Sequence, residues 1–267
     1  MQAHGFKQVE SHLPTSPSLT VIISTYNDLA LVEKKLAEIQ AQTAFASTEF
    51  IFVETGSPQR ERDALQPFTN QHDNCRLHTT EDRHTLFAAW NMGWDMAQAP
   101  WVCYSNMDDT MHPRLCEILQ LEIAQHDWDI CSTLIAKQDA AGSDVNTWQP
   151  RRLASLKLSP RPGPFTAWRK SLAQDFGYFD ARMKTSADKD FWARAQARQL
   201  NMGMINQLLY LYTKSPAQLS KQGINSDDAL LAEKDYPCVW PGYYRRQSFW
   251  RRAQLKLAPA SLVPATE

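Results

Sequence analysis

Two adjacent carboxylates, Asp108 and Asp109, are well suited by type and position to bind a divalent cation. They follow the apolar run 101–104 and precede His112-Pro113. Carboxylate oxygens are the ligands that hard cations prefer, and the oxygens of a diphosphate complete such a shell. The same pair also suits a turn and a helix N-cap, because Asp is favoured there and Pro begins helices. The pattern therefore predicts either a metal–diphosphate site or an ordinary turn.

The elements that must position this pair alternate along the chain. Apolar runs predict strands near residues 19–23, 50–53, 76–78, 101–104, 129–136 and 204–212. Apolar residues at helical spacing predict helices near 29–41, 85–98, 114–126 and 188–200. Strands that alternate with helices indicate a mostly parallel α/β sheet, and the β-branched run 21–23 is typical of a strand buried on both faces.

The polar segments after the first strands predict where a ligand binds. Right-handed crossovers place the loops after parallel strands at one edge, which is where open α/β sheets bind ligands. We therefore expect the loops at 24–28, 54–58 and 105–110 to converge at that edge.

The composition limits the classes of protein to consider. The chain has 267 residues, with 28 Lys and Arg against 29 Asp and Glu, so no overall charge attracts nucleic acid. No apolar run approaches the roughly 18 residues of a membrane-spanning helix, and the N-terminus contains no apolar signal stretch, which predicts a cytoplasmic protein. Five cysteines without a C-x-x-C pair predict small core residues rather than disulfides or a zinc site.

We expect one domain between two flanking segments. Residues 1–18 form a polar arm, residues 19–222 the domain with halves at 19–110 and 111–222, and residues 223–267 a tail. Between 241 and 259 the tail carries basic residues and no acid, with aromatic residues at helical spacing. This pattern predicts a basic amphipathic helix that either docks on the domain or lies on an anionic membrane surface. The second alternative places the protein peripherally at the inner face of a membrane.

Several stretches, taken in order, resemble the inverting family 2 glycosyltransferases of GT-A fold. VIISTYN at 21–27 is similar to the family's opening strand and P-T-Y-N loop, and FVETGS at 52–57 to its V-D-D-G-S turn. AAWNMG at 88–93 resembles A-x-N-x-G, and YSNMDD at 104–109 resembles L-D-A-D-D. GYFD at 177–180 and SADKDFW at 186–192 resemble G-G-F-D and G-E-D-x-D-L-W. The likeness covers residues 19–213 and implies a single Rossmann-like α/β domain with a mostly parallel sheet flanked by helices.

The resemblance assigns donor-binding roles to the first half of the domain. Thr25 and Tyr26 would line the nucleotide pocket, with Tyr26 against the base, and Glu54 would bind the uracil of a UDP-linked donor. Asn106 stands at the first Asp of the family's stretch and keeps an oxygen acceptor there. Asp108 and Asp109 would hold Mn²⁺ or Mg²⁺ and the ribose or diphosphate of the nucleotide-sugar.

The resemblance also makes Asp188 the catalytic base. Inverting transfer is an in-line displacement, so a carboxylate must take the proton of the acceptor hydroxyl while a cation stabilises the leaving diphosphate. Asp188 suits this role if it begins the helix that carries Phe191 and Trp192, held by that apolar face. The alternative is an ordinary favourable charge near a helix N-terminus. Asp190 is interpreted as structural.

Departures from the family pattern keep a second function open. Ala187 replaces the Glu before the base, Thr55 replaces the second Asp of the turn, and no His occurs after His126. Lys214 either supplies positive charge to the diphosphate or is a solvated surface residue. The first hypothesis is an inverting glycosyltransferase that uses a saccharide or lipid-linked saccharide acceptor in glycan or polysaccharide assembly. The alternative is a catalytically silent partner subunit that binds nucleotide-sugar or glycan. A nucleotidyltransferase lacks support, because no Gly-rich phosphate loop follows the first strand.

Aromatic and basic residues suggest where an acceptor would lie. Trp90, Trp101 and Trp192 fall in predicted buried elements, whereas Trp148 and Trp168 flank the 149–164 loop and are candidates for stacking on sugar rings. Arg151, Arg152 and Arg161 would contact an anionic group or remain solvated. His112 is interpreted as part of a helix start.

Overall fold

The structure, a computed structural model, describes residues 16–139, 148, 157–158, 163–214 and 226–237. Within these ranges nine strands form one sheet. They are β1 (Leu19–Thr25), β2 (Thr48–Thr55), β3 (Cys75–Thr80), β4 (Trp101–Asn106), β5 (Thr110–Met111), β6 (Ile130–Asp139), β7 (Lys157–Leu158), β8 (Ala167–Arg169) and β9 (Met202–Lys214).

Helices cover both faces of this sheet. They are α1 (Leu29–Gln40), α2 (Glu61–Gln71), α3 (Leu86–Met96), α4 (Leu115–Gln125), α5 (Leu172–Phe176), α6 (Ala187–Ala197) and α7 (Asp228–Ala232), with a short 3₁₀ helix at Phe45–Ser47. None of the helices in the described ranges combines the length and the apolar character needed to cross a membrane.

The strands run in the order β3-β2-β1-β4-β8-β6-β9-β5, with β7 added to β6. The first four are parallel to one another, and β6 is parallel to β9. Between these groups lies β8, which is antiparallel to both β4 and β6. The prediction of a mostly parallel α/β sheet is confirmed, and the parallel strands β1, β2 and β4 end at one edge.

The continuous apolar run of β1 is explained by burial on both faces of the sheet. Val21 and Ile23 pack into a core cluster with side chains of α1 and α4, whereas Ile22 packs into a second cluster with side chains of α3 and α6. Helix α3 approaches β1 so closely that a Cβ at Gly93 would lie 2.4 Å from Cγ2 of Ile22. Glycine at this position therefore sets the distance between α3 and the sheet.

The sequence did not predict helices α2, α5 and α7 or the short strands β5, β7 and β8. Helix α2 has few apolar residues and contains Pro67, so its periodicity is weak. Strand β8 has three residues, too few to show a period, yet its Trp168 is fully buried between the sheet and α6. The interpretation of Trp168 as an acceptor platform is therefore wrong, because its ring belongs to the core.

Several other predictions concern buried side chains or segments at the ends of the chain. Trp90, Trp101 and Trp192 are buried as predicted. Four of the five cysteines, Cys75, Cys103, Cys116 and Cys131, are free and buried, which confirms their interpretation as core residues. Cys238, most of the polar arm and the basic helix predicted at 241–259 lie outside the described residues.

Candidate active site

The strand register brings the predicted donor-binding residues together. Thr25 lies beside Glu54 in the β1–β2 pair, and Ser24 lies beside Asn106 in the β1–β4 pair. The hydroxyl of Thr25 is buried and has no hydrogen-bond partner among the described residues. The loops at 24–28, 54–58 and 105–110 therefore share one edge, as predicted, with a polar atom there that remains unsatisfied.

The N-terminus of α1 is already occupied by side chains of the loop after β2. Asn27 adopts a positive φ of 60°, which turns the chain into the helix. The next backbone N–H groups donate to three side chains: Asn27 to Oγ of Ser57 (3.1 Å), Asp28 to Oε1 of Glu61 (2.6 Å) and Leu29 to Oε1 of Gln59 (3.0 Å). A diphosphate at this edge must therefore find its positive partner elsewhere than at this helix end.

Glu54 is fully buried and paired with Arg62 of α2. Its Oε1 accepts from the backbone N–H of Ser57 at 2.8 Å and from Nη2 of Arg62 at 3.1 Å, and its Oε2 accepts from Nε of Arg62. Hydrogen bonds to Glu54 and to Glu81 raise the pKa of Arg62 above its usual range. Contact between Glu54 and a uracil ring stays a prediction, and it requires the base to share this carboxylate with Arg62.

Tyr26, the predicted platform for the base, is half-buried and covered on one face. The guanidinium carbon of Arg83 lies 4.1 Å from the centre of the Tyr26 ring. Arg83 itself is exposed. An Arg stacked on an aromatic ring at this distance leaves no room for a base on the same face.

Asp109 is buried, and protein donors bind both of its oxygens. Oδ1 accepts from the backbone N–H of Thr213 at 2.7 Å, and Oδ2 accepts from the Tyr210 hydroxyl at 2.9 Å and from Nδ2 of Asn106 at 2.8 Å. Burial, followed by the negative charge of Asp108, raises the pKa of Asp109 to about 8. Asp109 thus ties the turn between β4 and β5 to strand β9.

Asp108 differs from its neighbour because it is only half-buried. In the described part of the chain, no other residue donates a hydrogen bond to its carboxylate. Burial raises its pKa, while the ammonium groups of Lys35 and Lys34 lower it. Burial also raises the pKa of Asp28 to about 6, with Asp108 and Glu61 as further negative charges nearby. Asp28 and Asp109 are therefore further carboxylates close enough to Asp108 to interact with its charge.

These residues fit a divalent cation in part. The Asp108 carboxylate and the amide oxygen of Asn106 are oxygen donors of the type that Mg²⁺ and Mn²⁺ prefer. Oδ2 of Asp109 already accepts two hydrogen bonds, whereas Oδ1 accepts one, so a cation would bind Asp109 at the remaining lone pair of Oδ1. Across the described ranges, no three His, Cys, Asp or Glu side chains are grouped as a metal site. A cation here would accordingly depend on the oxygens of a diphosphate and of water, and the ligand role of Asp109 stays a prediction.

Asp188 lies in the first turn of α6, as its sequence position predicts. It is half-buried, and its Oδ1 accepts from the backbone N–H of Lys189 at 2.7 Å. Burial raises the pKa of Tyr104 well above its usual value, and the charges of Asp188 and Asp109 add to this effect. Tyr104 belongs to the same core cluster as Ala187, the residue before Asp188, so the start of α6 packs against β4.

Asp190, two residues further along α6, is buried, which agrees with its interpretation as structural. Arg194 donates to it at 3.2 Å, and the Tyr236 hydroxyl also donates to it. Arg194 lies on α6 itself, whereas Tyr236 lies outside it, so the bond from Tyr236 restrains the rotation of α6 about its axis. Asp190 is buried in this orientation, while Asp188 is half-buried.

The acceptor side is described only in part. Trp148 is half-buried and its ring lies 4.9 Å from that of His112, edge to face. Nδ1 of His112 accepts from the backbone N–H of Arg114 at 3.1 Å, which confirms its part in the start of α4. Lys214 is exposed at the end of β9. Arg151, Arg152 and Arg161 lie outside the described residues.

Sequence reasoning missed several residues that hold the site together. Lys35 has the position of a solvated helix residue, yet only 1% of it is exposed, and its Nζ donates to the backbone oxygen of Asp109 at 2.8 Å. Arg62 and Tyr210 were missed as well, because their partners Glu54 and Asp109 belong to other elements. A charged residue at an apolar helix position, as Lys35 is between Val32 and Ile39, was the one available signal.

A separate pocket of about 450 Å³ lies at the opposite edge of the sheet, beside the start of β4. Trp94, Lys170 and Tyr178 are among the residues that line it. The Tyr178 hydroxyl donates to Asp95 at 3.0 Å, and Nζ of Lys170 donates to the Ala97 carbonyl. These polar groups are paired within the protein, so we assign no role to this pocket.

Comparison with known proteins bears on the family and the fold of the chain. The sequence model of glycosyl transferase family 2 matches residues 20–189. No curated protein sequence matches the chain.

Solved structures share the fold at low identity. S. aureus TarS 1–349 in complex with UDP-GlcNAc superposes with a TM-score of 0.64 and 17% identity, over 90% of this chain and 73% of that one. The mannosyltransferase PcManGT from Pyrobaculum calidifontis, in complex with GDP-Man and Mn²⁺, superposes with a TM-score of 0.58 and 15% identity, over 97% of this chain and 79% of that one. A longer S. aureus TarS chain superposes with a TM-score of 0.61 and 17% identity, and this protein spans only 44% of its length.

Proposed function

The chain belongs to glycosyl transferase family 2, and on that basis we propose that it transfers a sugar with inversion from a nucleotide-sugar, UDP-linked in the first instance, to a saccharide or lipid-linked saccharide. The family match covers residues 20–189, which contain all the proposed donor-binding residues and Asp188. The GT-A fold is shared with the solved structures. Such a transfer belongs to glycan or polysaccharide assembly.

The observation that carries this proposal is the meeting of β1, β2 and β4 at one edge, where Thr25, Glu54 and Asn106 lie in register. Helix α6, which carries Asp188, packs against the same strand β4, because Ala187 and Phe191 share a core cluster with Tyr104. Inverting displacement requires a leaving-group site and a base on opposite sides of the anomeric carbon. We assign the first role to the strand edge with Asp108 and the second to Asp188.

In the proposed reaction, the oxygen of the acceptor hydroxyl bonds to the anomeric carbon while Asp188 accepts the proton of that hydroxyl. The bond from that carbon to the diphosphate oxygen breaks, and its electron pair leaves with the nucleoside diphosphate. Asp108 and Asp109, with Asn106 beside them, would hold Mn²⁺ or Mg²⁺, which supplies positive charge to the leaving diphosphate. Thr25 offers its unpaired hydroxyl to the nucleotide, and Tyr26 offers a ring face to the base.

Two contacts at the same edge of the sheet support the alternative function, a catalytically silent partner subunit. Arg62 holds both oxygens of Glu54, and Arg83 covers one face of Tyr26. Together with Ala187 and Thr55, these contacts also suit a partner subunit that binds donor or glycan without turnover. Membrane contact through the tail remains part of the proposal for a lipid-linked acceptor.

Calorimetric titration of UDP and of GDP, with and without Mn²⁺, tests the donor site. We expect Mn²⁺-dependent binding that is lost in Asp108→Ala and retained in Asp73→Ala, a matched change of an exposed carboxylate. Turnover is then measured with UDP-sugars and GDP-sugars. Absence of binding by every nucleotide would overturn the donor site, and binding without any turnover would favour the silent alternative.

A further inference from the structure

The segment that follows the family match contains an aspartate bound to the loop before α6. Asp227 is 2% exposed. Its carboxylate accepts three successive backbone N–H groups: those of Lys184 (2.9 Å), Thr185 (2.7 Å) and Ser186 (2.8 Å). The Thr185 hydroxyl donates to it as well, at 3.1 Å. One carboxylate thus fixes the whole turn that leads into α6.

The rest of residues 226–237 holds the same helix by other contacts. Leu230 and Leu231 of α7 pack against the core cluster that contains Phe191. Nζ of Lys234 lies 2.9 Å from Asp180 and 3.5 Å from Asp190. These contacts dock the segment on α6 independently of Asp227, so removal of the Asp227 carboxylate need not release it.

We infer that Asp227 is a positioning residue for the catalytic base, because it holds the 184–186 turn and thereby the place of Asp188 at the start of α6. The inference rests on the proposed function of Asp188. Ser186, the residue before α6, makes no side-chain cap of its own, so the turn depends on the distant carboxylate. Asp227 lies outside residues 20–189, so the family match assigns it no role.

The electrostatics of Asp227 agree with this role. Burial raises its pKa, but the N–H groups of Lys184 and Thr185 outweigh burial and hold the pKa below its usual value. The carboxylate is therefore ionised at neutral pH, and its bonds to the turn are charge-assisted. An amide at 227 keeps one acceptor oxygen, whereas a methyl group keeps none.

The matched control is Asp228, the exposed carboxylate next in the chain, which makes no contact with the turn. Amide hydrogen exchange is measured on the full-length variants Asp227→Ala, Asp227→Asn and Asp228→Ala. We expect exchange at 184–186 to become at least about tenfold faster in Asp227→Ala, less so in Asp227→Asn, and to stay unchanged in Asp228→Ala. Unchanged exchange in Asp227→Ala would overturn the inference.

Binding and turnover separate positioning from simple support of the fold. With UDP and Mn²⁺ as the probe, we expect the Kd of Asp227→Ala to stay within about twofold of the wild type. We expect kcat for nucleotide release from UDP-GlcNAc or GDP-Man to fall at least about tenfold while KM for the donor is kept. Faster exchange with unchanged kcat would contradict the positioning role.

If the protein is not an active transferase, the experiments give a result that differs from failure of the Asp227 inference. A wild-type protein that turns over no donor would remove Asp188 from the chemistry and with it the catalytic meaning of Asp227. The exchange rates would still decide whether Asp227 fixes the turn. Because Leu230, Leu231 and Lys234 keep the segment docked, a general loss of protection across α7 in Asp227→Ala would count against local positioning.

Discussion

The donor side and the base side of the candidate site are built in different ways. On the donor side, the loop after β1 is held by Ser57, Gln59 and Glu61, which lie about thirty residues later and inside the family match. On the base side, the turn before Asp188 is held by Asp227, about forty residues later and beyond the family match. Asp109 ties the donor side to strand β9, because the backbone N–H of Thr213 donates to its carboxylate.

This difference between the two sides shows which residues of the site a family pattern can locate. Parallel strands that end at one edge bring Thr25, Glu54 and Asn106 together, and the side chains that hold the loop after β1 lie within the family match. The base side needs a helix fixed in rotation and position by a later segment. Variation in that later segment can alter the base without changing any residue of the motif.

Removal of the base gives the largest expected effect and tests whether the two sides act separately. Asp188→Asn keeps the shape of the side chain but takes up no proton, and a positioned general base contributes about 10²- to 10⁴-fold. We expect kcat to fall by that factor, with the Kd for UDP and Mn²⁺ unchanged. The measurement is steady-state release of nucleotide beside calorimetric binding.

Asp228→Asn is the control for this loss, since it removes an exposed carboxylate without touching Asp188. If Asp188→Asn lost nucleotide binding as strongly as turnover, the two sides would not be separable. Full activity of Asp188→Asn would exclude it as the base.

The next effect concerns Lys35, which supports the donor side from within α1. Lys35→Met has a similar length but lacks the ammonium that donates to the Asp109 carbonyl and to Glu38, each at 2.8 Å. We expect the free energy of unfolding to fall by about 1 to 3 kcal/mol, as for loss of a buried hydrogen-bonding group. We also expect weaker binding of UDP with Mn²⁺, because the turn that carries Asp108 loses an anchor.

Urea unfolding and calorimetry check this prediction, and Lys34→Met, a change of the exposed neighbour, is the control. The double variant Lys35→Met, Glu38→Gln should recover part of the lost stability, since Glu38 is then not left as an unpaired charge. Equal stability of Lys35→Met and Lys34→Met would show that the buried ammonium is not needed.

Lys35 also shows how far the sequence determines the site. The strands, the helices with clear periodicity and the shared edge of Thr25, Glu54 and Asn106 follow from local patterns. Their partners do not follow from such patterns: Arg62 of α2 binds Glu54, and the Tyr210 hydroxyl of β9 accepts from the backbone N–H of Asn106. On the base side, Asp227 binds the turn at 184–186 from a later segment. A carboxylate in a motif can therefore be found from the sequence, whereas its availability to a ligand depends on donors that no local spacing reveals.

The pH dependence of stability tests the buried carboxyl of Asp109, which ties the donor side to β9. In the folded protein the pKa of the Asp109 carboxyl is raised from its ordinary value of 3.8 to about 8, so this carboxyl keeps its proton to a higher pH than in the unfolded chain. The unfolded chain thus binds fewer protons than the folded one in this window, so stability falls as pH rises, by up to about 1.4 kcal/mol per pH unit. Between pH 6 and 8 the titration of Asp28, with its pKa of about 6, contributes little further.

Urea unfolding without metal at pH 6, 7 and 8 measures this slope. Asp109→Asn cannot titrate, and its amide oxygen can still accept from the Thr213 N–H, so its slope should be flatter than that of the wild type. Asp73→Asn should keep the wild-type slope. An equal slope in Asp109→Asn and the wild type would mean that Asp109 is already ionised at pH 6.

The smallest expected effect lies at the surface of the donor side, where Arg83 covers Tyr26. If the base stacks on this face, Arg83 must leave it first, at a cost of about 0.5 to 1 kcal/mol for an exposed cation–π contact. Arg83→Gln should then bind UDP with Mn²⁺ about two- to fivefold more tightly, by calorimetry. Arg60→Gln removes an exposed charge nearby that is paired with Asp63, and it should leave affinity unchanged. Weaker binding by Arg83→Gln would instead make Arg83 a ligand of the nucleotide, so that the donor side too would gain from a residue outside its motif.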